Sequence, residues 1–151
     1  MSSENKRQIV SKKRVAEHGE VYTNEREVNA MLDLVKPETE RIDSRFLEPA
    51  CGNGNFMVEI LRRKLAVVAK SYGNSPSELE CYGVCAVSSI YGIDILEDNV
   101  LASRRRLFSI FNDFYCHHAD HPREDVLASS EVHPQPKHSV GRCSQPDDCG
   151  Q

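Results

Sequence analysis

No stretch of this 151-residue sequence approaches the roughly 20 consecutive apolar residues of a membrane span, and the polar opening Met1-Ser2-Ser3-Glu4-Asn5-Lys6 has no secretory-signal core. A membrane partner is therefore not expected, and a cytoplasmic location is. Basic charge is not in excess either: 19 Lys and Arg stand against 23 Asp and Glu, a net charge of -4. The global positive field of a free-standing nucleic-acid binder is missing, which leaves only a local groove for such a role. Six cysteines are present, and without a secretory signal they are expected as reduced thiols with no bridges. No defined zinc-module spacing occurs. Cys81 and Cys85, four apart, read as small core residues; Cys116, His117, His118 and His121, with Cys143 and Cys149 further on, fit no module, so no metal is assigned. Periodicity is lacking from His117 onward, where His133-Pro134-Gln135-Pro136 and Ser144-Gln145-Pro146 have little to bury, and 117–151 is expected to be a disordered tail.

What is present is organised around Phe46-Leu47-Glu48-Pro49-Ala50-Cys51-Gly52-Asn53-Gly54-Asn55-Phe56. A short apolar run, an acidic residue, a glycine-rich turn and the apolar-periodic segment Met57, Ile60, Leu61, Leu65 have the layout of a nucleotide-like cofactor loop. Gly52 and Gly54 remove the Cβ atoms that would prevent a tight turn and close approach to a ligand. The helix that follows turns its free N–H groups back on the same spot. A Gly-x-Gly turn alone is a weak signal; Glu48 and the rigid Pro49 sharpen it.

Residues 1–18, with Lys12, Lys13 and Arg14 together, read as a flexible basic arm, either a solvated charge run or a contact to a DNA backbone. Gly19-Glu20-Val21-Tyr22-Thr23 is an extended piece; either Thr23 or Asn24 can cap the helix that follows, Asn24 with Glu27 having capping-box spacing, and that helix has the buried face Val28, Met31, Leu32 and Val35 and ends before Pro37. Arg45–Leu47 leads into a first strand. A helix over 55–70 carries Arg62, Arg63 and Lys64 on its outer side, and Ser75-Pro76-Ser77-Glu78 opens another. Ile90–Ile95 reads as a second strand, and Glu97, Asp98 and Asn99 stand at the mouth of a helix with Val100, Leu107, Phe111 and Phe114 on its apolar face and Arg104, Arg105 and Arg106 in its middle. The order is that of an α/β fold with parallel strands and flanking helices, in one domain over 19–116.

If the two strands pair in parallel, Glu48 and Asp94 come to neighbouring strand ends, where open α/β sheets bind ligands. Asp94 is then placed to accept hydrogen bonds from ribose hydroxyls, or only to cap the next helix. Glu48 is placed to meet a cationic group, or only to cap or pair locally. A dinucleotide is disfavoured, because the third glycine of Gly-x-Gly-x-x-Gly is missing and Asp94 lies too far along.

The run Leu47–Phe56 resembles the first motif of the adenine-specific, amino-group DNA methyltransferases of bacterial restriction-modification systems. Gly19–Thr23 resembles their N-terminal motif, with Asn24 where a proline usually stands, and Gly92-Ile93-Asp94-Ile95 resembles their second. The resemblance covers about residues 12 to 115 and implies an incomplete Rossmann-like methyltransferase fold with S-adenosyl-L-methionine as cofactor. It implies Tyr22, Thr23, Glu48, Pro49, Ala50, Cys51, Gly52, Gly54, Phe56, Asp94 and Ile95 as the cofactor site. The methionine carboxylate falls to the helix start at Thr23 and the N–H groups near Gly54, the ammonium to Glu48 or the carbonyls around Ala50, the ribose to Asp94 and the adenine to Ile95. Phe56 reads equally as cofactor wall or core residue.

The family's catalytic motif, Asn or Asp followed by Pro-Pro and an aromatic, holds a flipped adenine by its amino group. No such run occurs; Asn112-Asp113-Phe114 lies inside a helix and lacks the prolines. The expectation is thus the amino-terminal cofactor half of an enzyme acting on DNA, either cut short or encoded separately from a second polypeptide that carries the catalytic half. The alternatives are a non-catalytic interaction module and a decayed fragment. Two parallel strands with few helices also leave faces and edges uncovered, so marginal stability or association with the missing half is expected.

Overall fold

The computed structural model describes residues 11–119 and 122–130. Along them run α1 (Lys12–His18), α2 (Glu25–Asp33), α3 (Lys36–Thr39), β1 (Phe46–Glu48), α4 (Asn55–Tyr72), α5 (Pro76–Ser88), β2 (Ile90–Gly92), α6 (Glu97–His118) and α7 (Glu124–Ser130). The architecture is mixed α/β, mostly helical, with one small sheet of two parallel strands. Phe46 pairs with Ile90, Leu47 with Tyr91 and Glu48 with Gly92. The second strand is shorter than the run Ile90–Ile95 suggested. Ile93 still bonds β1 and the glycine turn, its N–H to the Glu48 carbonyl and its carbonyl to the Cys51 N–H, both at 2.9 Å, before Asp94 turns away.

α4 is the central element because apolar residues recur on it so closely that a broad stripe is buried: Met57, Val58, Ile60, Leu61, Leu65 and Val68. One side of it meets α5, α6 and α7 through Leu79, Ala86, Phe111, Tyr115 and Val126. The other meets α2 and the sheet through Val28, Leu32, Ile60 and Phe46. α2 is capped as its sequence indicated, the Asn24 side chain accepting the Glu27 N–H at 2.9 Å. Of its expected face only Val28 and Leu32, one turn apart, are buried. Met31 and Val35 are exposed, because the helix ends at Asp33 and the chain turns into α3, with Pro37 in that turn's first residues. Ser75 sits at the start of α5 without a side-chain capping bond.

Lys64 does not lie on the outer side of α4. It is fully buried, its ammonium donating to the Ile42 carbonyl at 2.9 Å, to the Ser44 carbonyl and to the Ser89 hydroxyl. These acceptors lie just before β1 and β2, so one cation joins both strand entrances to α4. Arg63, also drawn inward, pairs with Glu59 and Asp33, and only Arg62 is exposed.

Within the arm expected to be flexible, residues 12–18 form α1, capped by the Ser11 side chain. Arg14 is bound within the protein to Glu20 and Asp98, which takes it away from the DNA-backbone role. The structure also continues past the expected start of the disordered tail. α6 runs through His118, and α7 packs Val126 onto the core, held by Tyr115, whose hydroxyl donates to Glu80 at 2.6 Å and accepts the Arg123 N–H at 3.1 Å. A single long-range tyrosine anchor leaves no periodic trace in the sequence. The remaining tail segments, with His121, Cys143 and Cys149, lie outside the described residues. Cys51, Cys85 and Cys116 are free thiols, whereas Cys81 is disulfide-bonded, so the expectation of reduced thiols does not hold there. No helix among the described residues is long and apolar enough to cross a membrane.

Burial pushes the Lys64 ammonium down to about 8 from 10.5, the nearby Asp43 opposing the shift in part. Between those two values the unfolded chain keeps the proton that the folded chain has given up. Proton binding is then greater in the unfolded state, and the Lys64 contribution to stability rises with pH across that window. Urea unfolding of the protein and of Lys64→Met at pH 7.5 and pH 10 should show the protein gaining on the variant as pH rises. A pH-independent difference between the two would refute the assignment.

Candidate functional site

A cavity of about 370 Å³ opens at the carboxyl ends of the two strands, the place where parallel sheets offer their loops. Its walls come from three separate parts of the chain: the end of α1 at His18 with the strap 19–23 that follows, the glycine turn with the start of α4, and residues of the segment 94–99 after β2. Of the eleven residues singled out in the sequence, ten line it: Tyr22, Thr23, Glu48, Pro49, Ala50, Cys51, Gly52, Phe56, Asp94 and Ile95.

Gly54 is the exception, and its glycine serves a different purpose. Its φ of 87° is left-handed, and a Cβ there would stand 2.9 Å from Ser103 Cβ. Gly54 is thus where α6 crosses the turn, with the small Ser103 facing it. Gly52, at φ 52°, does face the cavity, and the Tyr22 ring lies against it, 3.2 Å from where a Cβ would be.

The turn is braced from both sides. Asp94 accepts the Gly52 N–H through Oδ2 and the Leu96 N–H through Oδ1, each at 2.8 Å, tying the turn to the end of β2. Arg106 donates to the Asn53 carbonyl at 2.7 Å and to Asn55 Oδ1 at 2.8 Å, while Asn55 Nδ2 donates to the Thr23 carbonyl at 2.8 Å. Burial holds the Arg106 guanidinium below its ordinary range. The buried Asn53 Oδ1 has no hydrogen-bond partner among the described residues. The Gly52 and Gly54 amides are both engaged, the second with the Cys51 carbonyl at 2.8 Å. N–H groups for an anion therefore belong to the first turn of α4, where Asn55, Phe56 and Met57 have no intrahelical acceptor. Burial, and then the charge of Asp94, pushes the Cys51 thiol up, which suits a packed residue and not a nucleophile.

Glu48 is half-buried in the wall and pairs with no cation among the described residues; its one side-chain bond is a long 3.3 Å contact from the Ala50 N–H. Ile95 is 84% exposed at the rim. Sequence reasoning missed Glu20 and Asn99. Glu20 accepts from Arg14, and Asn99, only 3% exposed, shares its Nδ2 between Glu20 Oε1 at 2.6 Å and Asp94 Oδ1 at 3.3 Å. Burial, assisted by Glu20, raises the Tyr22 hydroxyl to about 12, and it stays protonated beside Glu20 and Asn99. A polar residue in the first turn of an amphipathic helix gives no sign of being buried, so nothing in the sequence marked Asn99.

Asn112-Asp113-Phe114 lies inside α6. No group of three or more His, Cys, Asp or Glu suited to a metal occurs among the described residues. No family model, curated protein or solved structure matches this chain.

Two substitutions separate the tasks of the site. Gly54→Ala meets Ser103 and a left-handed backbone at once, and should cost about 2 kcal/mol in chemical denaturation. Asp94→Ala leaves the Gly52 and Leu96 amides without their acceptor and should cost about 1–3 kcal/mol. If both variants unfold at the wild-type midpoint, the crossing and the brace contribute nothing.

Proposed function

We propose that the cavity binds S-adenosyl-L-methionine and that the chain is the cofactor-holding part of a methyltransferase acting on the exocyclic amine of adenine in DNA. The observation that carries the reading is the convergence of the three resembling motifs on one cavity. Its volume lies within the range of small-ligand sites. A parallel pair with a glycine turn after the first strand and an acid after the second supports an incomplete Rossmann-like methyltransferase fold.

The donor and acceptor set fits the cofactor. Glu48, lacking a cationic partner, would take the ammonium, and the first turn of α4 would take the carboxylate. Asp94 Oδ2, which receives only the Gly52 N–H, retains a lone pair for a ribose hydroxyl. Asn53 Oδ1 offers an unpaired acceptor in the same wall. Ile95 would cover an adenine at the rim. The bound cofactor supplies an electrophilic methyl group; the chain binds and orients it. No residue among those lining the cavity matches the family's catalytic motif, so the target adenine would be presented by residues outside this sequence.

Isothermal titration of the folded protein with S-adenosyl-L-methionine should show one site. Glu48→Gln should weaken it by about tenfold through loss of a charge-assisted contact. Absence of heat from a sample with native circular dichroism would remove the cofactor reading.

A further inference from the structure

Glu20 lines the cavity, yet its acceptor positions are taken up within the protein. Oε2 receives Arg14 Nε; Oε1 lies 2.7 Å from Arg14 Nη2, 2.6 Å from Asn99 Nδ2 and 3.2 Å from the Tyr22 hydroxyl. A carboxylate so engaged has little left to offer a ligand. Its effect is to join three elements: α1 through Arg14, the strap to which Glu20 belongs, and α6 through Asn99. Arg14 closes the ring by reaching Asp98 at the start of α6.

The strap needs this connection. Residues 19–23 belong to no helix or strand, and so have no regular backbone ladder to hold them. Gly19, at φ 64°, begins the strap with nothing within 4 Å of a would-be Cβ, which is an open pivot. From that pivot to Asn24 the strap is fixed by side-chain bonds, those of Glu20 and Tyr22 at one end and the Asn55 bond to the Thr23 carbonyl at the other. Through Asn99 the same network reaches Asp94.

We infer that Arg14 and Glu20 form a clasp that sets the strap 19–23 as one wall of the cavity, making Arg14 a positioning residue for ligand binding. Arg14 is not itself among the residues lining the cavity; it acts through Glu20. The ligand used to read this out rests on the cofactor proposed above, whereas the clasp can be read without it.

Backbone 15N relaxation and titration with S-adenosyl-L-methionine, on the full chain, test the two parts separately. Arg14→Ala should lower the order parameters of 20–23 from about 0.85 towards 0.6 while leaving 46–48 and 90–92 unchanged, a pattern that general destabilisation would not give. It should weaken cofactor binding by about tenfold, with no further loss in Arg14→Ala/Glu20→Ala. Arg14→Lys keeps the charge without the planar fork and should fall between; it carries both measurements if the alanine variant fails to fold. Unchanged order parameters at 20–23 overturn the clasp, as does wild-type affinity in Arg14→Ala when the parent binds. A folded parent that binds no cofactor overturns the cofactor reading instead, and the relaxation measurement alone then decides the clasp.

Discussion

The sheet is held by a buried cation. Two strands of three residues each cannot generate a stable parallel pair from their own ladder, because isolated pairs are marginal and parallel ones need covered faces. Lys64 gathers the carbonyls of Ile42 and Ser44 and the Ser89 hydroxyl around one ammonium, and thereby fixes where both strands begin against α4. The Phe46 ring sits 5.2 Å from the same ammonium and covers it from the sheet side. Burying the charge is costly, as the depressed pKa records, but three good acceptors offset much of that cost. Once the entrances are fixed, parallel register fixes the exits, and the exits carry Glu48 and Asp94.

At those exits the two glycines of the turn do unlike work. Gly52 lets the backbone present an amide to Asp94 and a flat surface to Tyr22; Gly54 lets α6 pass close behind. The cavity is therefore a consequence of helix packing as much as of loop sequence. If α6 stood further off, Asn99 could not bridge Glu20 and Asp94, and the strap would have nothing on which to close.

Much of this was legible in the residues. The Asn24 cap, the α4 stripe and the pairing of two acidic strand ends follow from spacing and turn chemistry, which act locally. Ten of the eleven residues singled out reach one cavity because strand ends and their following turns are local objects too. What was not legible depends on contacts across the fold. Lys64 follows two arginines in sequence and reads as solvated, yet the carbonyls that bind it lie 20 and 22 residues away. Arg14 reads as part of a basic arm, although its partner Asp98 is 84 residues distant. Tyr115 and Val126 order a segment that composition alone assigns to disorder, since one buried hydroxyl can outweigh a run of polar residues only when its partners are already in place.

The sheet that results is open in a definite direction. The Phe46 N–H donates to the Ser89 carbonyl and the Glu48 carbonyl accepts from Ile93, so both of these residues turn their peptide groups toward β2. Alternation then turns the N–H and carbonyl of Leu47 the other way, along an edge of β1 where the side chain is also 62% exposed. Such an edge has unpaired backbone groups at Leu47, although the strand's shortness and the charges of Arg45 and Glu48 at its ends limit what can pair there. The cavity does not suffer from the opening, because its walls are strand exits, a strap and helix starts that lie to one side of it. The cavity and a sheet left open beside it are compatible in one molecule for this reason. The proposed cofactor would use the turns after β1 and β2, whereas presenting a second reactant to it would need elements beyond β1.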